Sequence, residues 1–436
     1  MPLVRMLMEN AIQLHHPAYM GHQVCPPFPT AVIADLVIST LNQSTAVWEM
    51  SPIGTVIEQE VIRWLAERVG YPASALGTAV SGGSAANLTG LMAARARWEA
   101  KREPGFGGRG SEQKPDAQHG VTAPAPAPTP DPRKPTPRPV VLCSADAHYS
   151  IARAASIMGI AAEDVIKVAT NDRHQLDLGA LSAALHDADD VMAIVATSGS
   201  TATGAFDDLR AIAALRDQYD TWLHVDAAHG ASVLLSERLR HLVDGLDLAD
   251  SLAWDPHKML WMPLSLGVIL VRDGVWLRRA FEADAPYLFN AERASDNIGE
   301  MTIQCSKRAD AVKLWLTLQV SGTAPCASAL DHVTDVTTYL YDRVTASDDF
   351  EAMHVPELNI FCFRHRSDDD TNAALREKLI RSGHAWITST LLKGQRVLRV
   401  TMINPRTERS DVDRMLAALR KIAAAGVAGR KSGVGE

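Results

Sequence analysis

The chain has 436 residues, of which 47% are hydrophobic and 22% charged, and its formal net charge is −8. These values are typical of a globular protein with two or three domains, and they give no basic excess that would indicate a nucleic-acid partner. No run of about 18 apolar residues and no signal-peptide pattern occurs, so we expect a soluble cytoplasmic protein without a membrane partner. The cysteines are scattered, without disulfide or metal-ligand spacing, which favours reduced thiols and no metal site: Cys25, Cys143, Cys305, Cys326 and Cys362.

The first 139 residues contain three different kinds of segment. Residues 1–54 carry short helical patterns interrupted by prolines, and we treat them as an N-terminal segment. Apolar residues then recur at helical spacing, which predicts helices over 55–69 and 85–100. Residues 103–139 are rich in proline and glycine and almost lack large apolar side chains, so they predict a disordered insertion.

After this insertion, strand and helix signals alternate. The predicted strands are 140–144, 165–169, 192–197, 222–225 and 266–271, and the predicted helices are 150–158 and 208–217. Such alternation predicts an α/β fold, with a mainly parallel sheet covered by helices on both faces. We place this large domain at 55–320 and a small C-terminal α+β domain at 321–436, with strands at 359–364 and 397–402 and a helix at 409–424.

Lys258 is the first residue that suggests chemistry. It follows Asp255, Pro256 and His257 in a turn after a strand-like segment. A lysine that is partly desolvated at a sheet edge can form a Schiff base with a carbonyl compound. Taken alone, the residue is equally well explained as a surface lysine in a loop.

Asp226 ends an apolar strand, in the run His224-Val225-Asp226. Ligands of open α/β sheets bind at the carboxyl ends of the strands. A carboxylate there can pair with the pyridine nitrogen of pyridoxal phosphate, whose protonated ring accepts the electrons of a carbanion. The alternative is a structural aspartate that caps a helix, and the pairing with Lys258 favours the cofactor.

Two further motifs fit the same cofactor. Gly83 and Ser84 lie in a glycine-rich turn before a predicted helix, where free N–H groups favour a phosphate. His148 follows a predicted strand, where an imidazole could lie flat against the pyridine ring. Each motif has an ordinary structural explanation, namely a capped helix for the first and a packed core histidine for the second.

Together the motifs resemble the group II pyridoxal-phosphate-dependent amino-acid decarboxylases, which include glutamate, aromatic amino-acid and diaminobutyrate decarboxylases. The resemblance extends from about His16 to Pro405. It implies a fold-type I transferase-like large domain, pyridoxal 5'-phosphate as cofactor, an amino-acid substrate, and a homodimer with shared active sites. The segments that carry it occur in one order: 83–88, 148–150, 197–201, 224–228, 257–258 and 303–308.

The resemblance also implies a role for each matching residue. It makes Lys258, His148 and Asp226 catalytic, because they bind the cofactor covalently, stack on its ring and pair with its nitrogen. It places Thr197 near the cofactor ring. The phosphate would be held by Gly83, Ser84, Ser251 and His257, and the substrate by Arg399, Phe28 and Trp48, with Arg399 on the α-carboxylate.

One departure concerns the proton donor. In the family a mobile loop before the 303–308 motif usually carries a tyrosine that protonates the carbanion. Here residues 290–299 contain no tyrosine, Asp296 stands near the expected position, and Tyr287 is out of register. In some relatives loss of this tyrosine accompanies oxidative decarboxylation and deamination to an aldehyde.

Three hypotheses follow. The first is decarboxylation of an L-amino acid to its amine and CO2, and the second is the oxidative reaction that gives an aldehyde. The third is a non-catalytic relative that acts as a binding protein, which the intact Lys258, Asp226 and His148 disfavour. Basic, acidic and aromatic substrates all remain open.

Overall fold

The computed structural model describes residues 1–103, 138–282 and 297–425, so nearly all of the predicted insertion lies outside the described residues. The helices are α1 (Pro2–Asn10), α2 (Pro29–Leu41), α3 (Pro52–Val69), α4 (Gly83–Ala100), α5 (Ser150–Ile157), α6 (Leu178–Asp187), α7 (Leu209–Tyr219), α8 (Pro256–Met259), α9 (Gly274–Ala280), α10 (Ala311–Ser321), α11 (Ala324–Thr345), α12 (Asp369–Arg381) and α13 (Arg409–Ala424). The strands are β1 (Leu76–Val80), β2 (Val140–Ser144), β3 (Val165–Val168), β4 (Val191–Thr197), β5 (Trp222–Asp226), β6 (Ser251–Trp254), β7 (Gly267–Val271), β8 (Phe350–Ala352), β9 (Ile360–His365), β10 (Thr388–Leu392) and β11 (Gln395–Thr401).

The larger sheet has seven strands in the order β1-β7-β6-β5-β4-β2-β3. Five adjacent strands are parallel to one another, in the spatial order β3, β2, β4, β5 and β6. Strand β7 is antiparallel to both of its neighbours, β6 and β1. Because two antiparallel steps cancel, β1 runs in the same direction as β6. The carboxyl ends of every strand except β7 therefore meet at one edge of this sheet.

Both faces of the sheet are buried, which explains the long apolar runs in central strands such as β2 and β4. Along β2, Val141 and Cys143 pack in one apolar cluster, with residues of α4 and α5. Val140 and Leu142 alternate with them and pack in a second cluster on the other face, with residues of α3, α6 and α7. A parallel sheet covered on two sides needs such near-continuous apolar strands.

A second sheet of four strands, in the order β10-β11-β9-β8, is antiparallel throughout. It lies C-terminal to the long helix α11. The predicted fold class, a large α/β unit with a mainly parallel sheet and a small C-terminal α+β unit, is confirmed. The domain boundaries at 54/55 and 320/321, which were inferred from the sequence, stay predictions.

Two other expectations concern the chain as a whole. All five cysteines lie in the described residues, and none of them forms a disulfide. Within the described ranges, no helix is both long and apolar enough to cross a membrane.

Candidate active site

A cavity of about 310 Å³ lies at the edge where the parallel strands end. Thr197 ends β4 and Asp226 ends β5, and the register of the two strands places these residues side by side. Lys258 lies on the short helix α8, which directly follows β6. Most of the predicted cofactor residues line this cavity: Gly83, Ser84, His148, Thr197, Asp226, His257 and Lys258.

The amine of Lys258 lies next to a buried carboxylate. Its Nζ is 3.1 Å from Oδ2 of Asp255, and the two side chains are 20% and 2% exposed. The ring of His257 lies 3.7 Å from the same oxygen through its Nε2. Its Nδ1 donates to the carbonyl of Leu266 at 2.7 Å. Because burial lowers the pKa of His257, we assign a neutral ring with its proton on Nδ1.

Asp226 presents a carboxylate that is already held in place. Its Oδ2 accepts from Nδ2 of Asn87 at 2.9 Å, and its Oδ1 accepts from the backbone N–H of Ala228 at 3.2 Å. Hydrogen bonds to the charged form of an acid stabilise that form. The side chain is therefore suited to pair with a cationic ring nitrogen.

His148 is held in one tautomer. Its Nδ1 accepts from the backbone N–H of Ser150 at 3.3 Å and lies 2.8 Å from Oγ of the same serine. A ring nitrogen that accepts carries no proton, so the proton of the neutral ring is on Nε2. Burial lowers the pKa of His148, and the nearby charge of Asp226 opposes this shift. A neutral imidazole in this position can stack on an aromatic cofactor.

The first turn of α4 forms a cradle at one end of the cavity. Gly82 has a φ of +152°, which residues with side chains rarely adopt, and it is the N-cap of the 18-residue helix α4. A Cβ on Gly83 would come within 3.0 Å of both Ala228 and Asp255. The free N–H groups of such a turn favour an anion, and the missing side chains let it approach closely.

Several buried polar atoms of the cavity have no protein partner. Among the described residues, none hydrogen-bonds Gln23 Nε2, Thr197 Oγ1, His229 Nδ1 or Asp255 Oδ1. Buried polar atoms are nearly always paired, with protein, water or ligand. The amine, the carboxylates, the helix terminus and these atoms together fit pyridoxal phosphate, whose aldehyde, ring nitrogen and phosphate need such partners.

The prediction for Ser251 is wrong. This serine begins β6, whereas the cavity lies beyond the other end of that strand. Its Oγ is buried against Nε1 of Trp222 and Nδ1 of His224, each at 2.8 Å. Since both contacts lie inside the protein, Ser251 is not available to hold a phosphate.

The predicted substrate residues lie outside the lining of the cavity in this chain. Arg399 of β11 lies behind it and donates from Nε to the carbonyl of Ala202 at 3.2 Å, next to the lining residue Thr201. Phe28 packs on Trp261 with ring centroids 5.6 Å apart. The backbone N–H of Trp48 donates to Oδ1 of Asn297 at 3.2 Å. Their substrate roles stay predictions.

Several lining residues were not assigned a role from the sequence. Asn87 lies three residues after Ser84 on α4, and helical spacing brings residues three or four apart to the same face. Asp255 lies three residues before Lys258, so both could have been found from their spacing. Gln23 and His229 carried no comparable signal, because Gln23 comes from the distant N-terminal segment and His229 follows β5 in an irregular turn.

The described residues bear on two further expectations only in part. Residues 283–296 lie outside the described residues, so the missing tyrosine, Asp296 and Tyr287 stay observations on the sequence. Within the described residues, no group of three or more His, Cys, Asp or Glu side chains could hold a metal ion.

Comparison with known proteins supports the interpretation of the cavity. The family described as "Pyridoxal-dependent decarboxylase conserved domain" matches residues 5–105 and 127–366. The L-2,4-diaminobutyrate decarboxylase of Rhizobium meliloti (strain 1021) is 33% identical, over 96% of this chain and 80% of that protein. The enzyme of the same name from Acinetobacter baumannii is 29% identical, over 95% of this chain and 81% of its own.

Solved structures agree on the fold. Mouse CSAD has a TM-score of 0.83 at 26% identity and covers 96% of this chain and 86% of its own. The glutamate decarboxylase domain of a Vibrio parahaemolyticus protein has a TM-score of 0.81 at 27% identity, with coverages of 97% and 84%. With a family match over most of its length, the chain belongs to the pyridoxal-dependent decarboxylases.

Proposed function

We propose that this protein removes the α-carboxyl group of an L-amino acid as CO2 and releases the corresponding amine. One observation carries the proposal. The amine of Lys258, the carboxylate of Asp226 and the imidazole of His148 line one cavity, although they come from three separate segments of the chain. A pyridoxal phosphate site needs a lysine amine for the Schiff base and a partner for the ring nitrogen, and a flat imidazole can cover the ring face.

The cofactor, when bound, supplies an aldehyde for amines and a pyridinium ring that accepts electrons from the α-carbon. Lys258 would hold it covalently, and Asp255 would keep the amine of Lys258 in position at 3.1 Å. Asp226 would accept the N–H of the pyridine ring. The first turn of α4, with Gly83 and Ser84, would hold the phosphate beside His257.

Arg399 is our candidate for the substrate carboxylate. It is buried, and within the described residues its Nη2 has no hydrogen-bond partner. Burial lowers the pKa of its guanidinium, which shows that its charge is little solvated. A carboxylate would pair with two of its N–H groups and so be oriented for bond cleavage.

A second copy of the chain would complete the site. Exposed apolar side chains lie on α1 and α2, and we propose that they are covered in a homodimer: Leu3, Val4, Leu7, Met8, Ile33 and Leu36. Monomers rarely expose so many neighbouring apolar residues. Phe28 caps the start of α2, so an interface there would place this predicted substrate residue beside the partner. Five unpaired cysteines fit the reducing cytoplasm in which we place the protein.

The alternative product is an aldehyde. It is suggested by the absence of tyrosine from residues 290–299, because the carbanion then lacks its usual proton source. The oxidative reaction would consume O2 and water and release CO2, ammonia and hydrogen peroxide together with the aldehyde.

The test is a panel of L-amino acids assayed for CO2 release with pyridoxal phosphate added. The panel includes L-2,4-diaminobutyrate and representative acidic and aromatic amino acids, and Lys258→Ala is the control. We expect CO2 from one class and a stoichiometric amine, and essentially none from the variant. Stoichiometric aldehyde and peroxide would establish the alternative, and no CO2 from any amino acid would refute both.

A further inference from the structure

A chain of buried hydrogen bonds runs behind the cavity from β5 and β6 to α4 and α5. Nε1 of Trp222 is 2.8 Å from Oγ of Ser251, which is 2.8 Å from Nδ1 of His224. Nε2 of His224 is 2.9 Å from Oδ1 of Asn87. Nδ2 of Asn87 then lies 2.9 Å from Oδ2 of Asp226 and 3.0 Å from Oγ of Ser150.

From the Trp222 end, one arrangement gives every hydrogen in the chain a partner. An indole N–H only donates, so Ser251 accepts from Trp222, and its own hydrogen can be donated to Nδ1 of His224. A neutral His224 then carries its proton on Nε2 and donates to Oδ1 of Asn87. Burial lowers the pKa of His224 to about 4, so the ring is neutral at pH 7. In that arrangement the carbonyl of Asn87 faces His224.

The Asp226 end of the chain fixes this direction. A carboxylate only accepts, so the group of Asn87 that faces Asp226 must be the amide N–H2. The second N–H of this amide donates to Oγ of Ser150. The hydroxyl of Ser150 then gives its hydrogen to Nδ1 of His148, at 2.8 Å. The carboxylate of Asp226 imposes this orientation on the whole chain, and the indole donor at the Trp222 end is compatible with it.

The packing of α4 makes room for this arrangement. Gly90 lies on α4 against the ring of His224, and a Cβ there would come 2.5 Å from both Cε1 and Nδ1 of the imidazole and 3.2 Å from Oγ of Ser251. Asn87, Ser150, His224 and Ser251 are all at most 1% exposed. In such surroundings an unpaired polar group is costly, so the chain resists rearrangement.

We propose that Asn87 is a positioning residue whose single amide orients the two groups assigned to the cofactor ring, Asp226 at the ring nitrogen and His148 on the ring face. One N–H holds the carboxylate of Asp226 in the orientation that faces the ring nitrogen. The other acts through Ser150 to keep the proton of His148 on Nε2. The buried hydrogen bonds that link this amide to His224, Ser251 and Trp222 hold it in one orientation. This inference rests on the proposed function, because both effects are exerted on a bound pyridoxal phosphate.

The test uses the holoenzyme with pyridoxal phosphate labelled with ¹⁵N in its ring, read by NMR. In the wild type the ring nitrogen should be protonated. In Asn87→Leu, which keeps the shape but removes both donors, the carboxylate of Asp226 should lose its orientation towards the ring, and the ring nitrogen should give the unprotonated signal. We expect kcat/KM to fall about 10- to 100-fold, the range for a lost hydrogen bond to a charged group. Ser150→Ala breaks only the His148 branch, so its ring nitrogen should stay protonated.

Asn372→Leu is the matched control. Asn372 is equally buried, but its side chain bonds only backbone atoms in the small C-terminal unit, so destabilisation alone should leave the ring signal unchanged. Loss of cofactor from Asn87→Leu but not from Asn372→Leu would also support the proposal. If Asn87→Leu does not fold, Asn87→Ala is measured in the same way. A protonated ring nitrogen in a folded Asn87 variant would overturn the proposal, whereas a wild type that binds no cofactor would refute the proposed function instead.

Discussion

Lys258 and Arg399 show how the surroundings of single side chains decide their chemistry. Lys258 has its ion-pair partner at the N-cap of its own short helix, because Asp255 lies three residues before it, 3.1 Å from the amine. Asp226 is left to face the cofactor nitrogen, held by Asn87 and Ala228. Arg399 keeps one buried nitrogen without a partner in the described residues. Asp255 therefore pairs with Lys258, whereas Asp226 is available for the cofactor nitrogen. The residue type alone does not distinguish these two roles.

Arg399→Lys should impair substrate binding more than folding. Lysine keeps the charge but cannot form the two parallel hydrogen bonds of a guanidinium with a carboxylate. We expect KM for the amino acid to rise about 10-fold or more, while cofactor binding is retained. Steady-state kinetics and a cofactor titration measure the two effects.

Arg364→Lys is the control for this substitution. Arg364 lies on the neighbouring strand β9 with the same 6% exposure, but it pairs with Glu351 and Asp369. Its replacement should leave KM unchanged. An Arg399→Lys enzyme with unaltered KM would remove this residue from the substrate site.

At the scale of elements, the pattern of apolar residues predicted the strands well where both of their faces are buried. The prediction of β2 at 140–144 and of α13 at 409–424 agrees with the structure at both ends. β1 was missed because its sequence is Leu-Gly-Thr-Ala-Val, with only two large apolar side chains. Gly77 is needed there, since a Cβ would come 2.3 Å from the carbonyl of Ile269 on β7.

The candidate site was predictable to the extent that its residues follow strands. Asp226, Thr197 and Lys258 come at or just after the ends of parallel strands, which topology brings to one edge. Ser251 was misplaced because a residue at the start of a strand lies on the opposite edge. Gln23 could not be found, since no local pattern indicates that the N-terminal segment reaches the cavity.

For the whole molecule, the burial of histidines has a consequence for acid stability. Burial lowers the pKa of His224 to about 4, of His229 to about 3 and of His354 to about 4, from 6.5. Between these values and 6.5 the unfolded chain binds protons that the folded chain does not. The stability they contribute is present above pH 6.5 and is lost as the pH falls towards 4.

The titration of Asp207 changes the free energy of unfolding in the opposite direction. Burial raises its pKa to about 6, so the folded chain binds its proton first and gains stability as the pH falls from 6 to 3.8. Three histidines outweigh one aspartate, so the free energy of unfolding should decrease on acidification, by about 1.4 kcal/mol per pH unit for each uncompensated proton. Denaturant unfolding between pH 7 and pH 4 measures this slope.

His354→Gln separates the histidine effect from other acid sensitivity. His354 accepts from the backbone N–H of Cys362 at 3.1 Å, and it is absent from the cavity lining. Its replacement should reduce the proton uptake on unfolding by about one. An unchanged slope would show that His354 is not neutral in the folded protein.

The central claim is that Lys258 binds pyridoxal phosphate covalently in the cavity where the parallel strands end. Its most direct test is borohydride reduction of the protein with pyridoxal phosphate, followed by peptide mapping by mass spectrometry. The account predicts a reduced pyridoxyl group on the peptide that contains Lys258, and none at that position in a folded Lys258→Ala variant. A wild-type protein without the label, or with the label on another lysine, would contradict it.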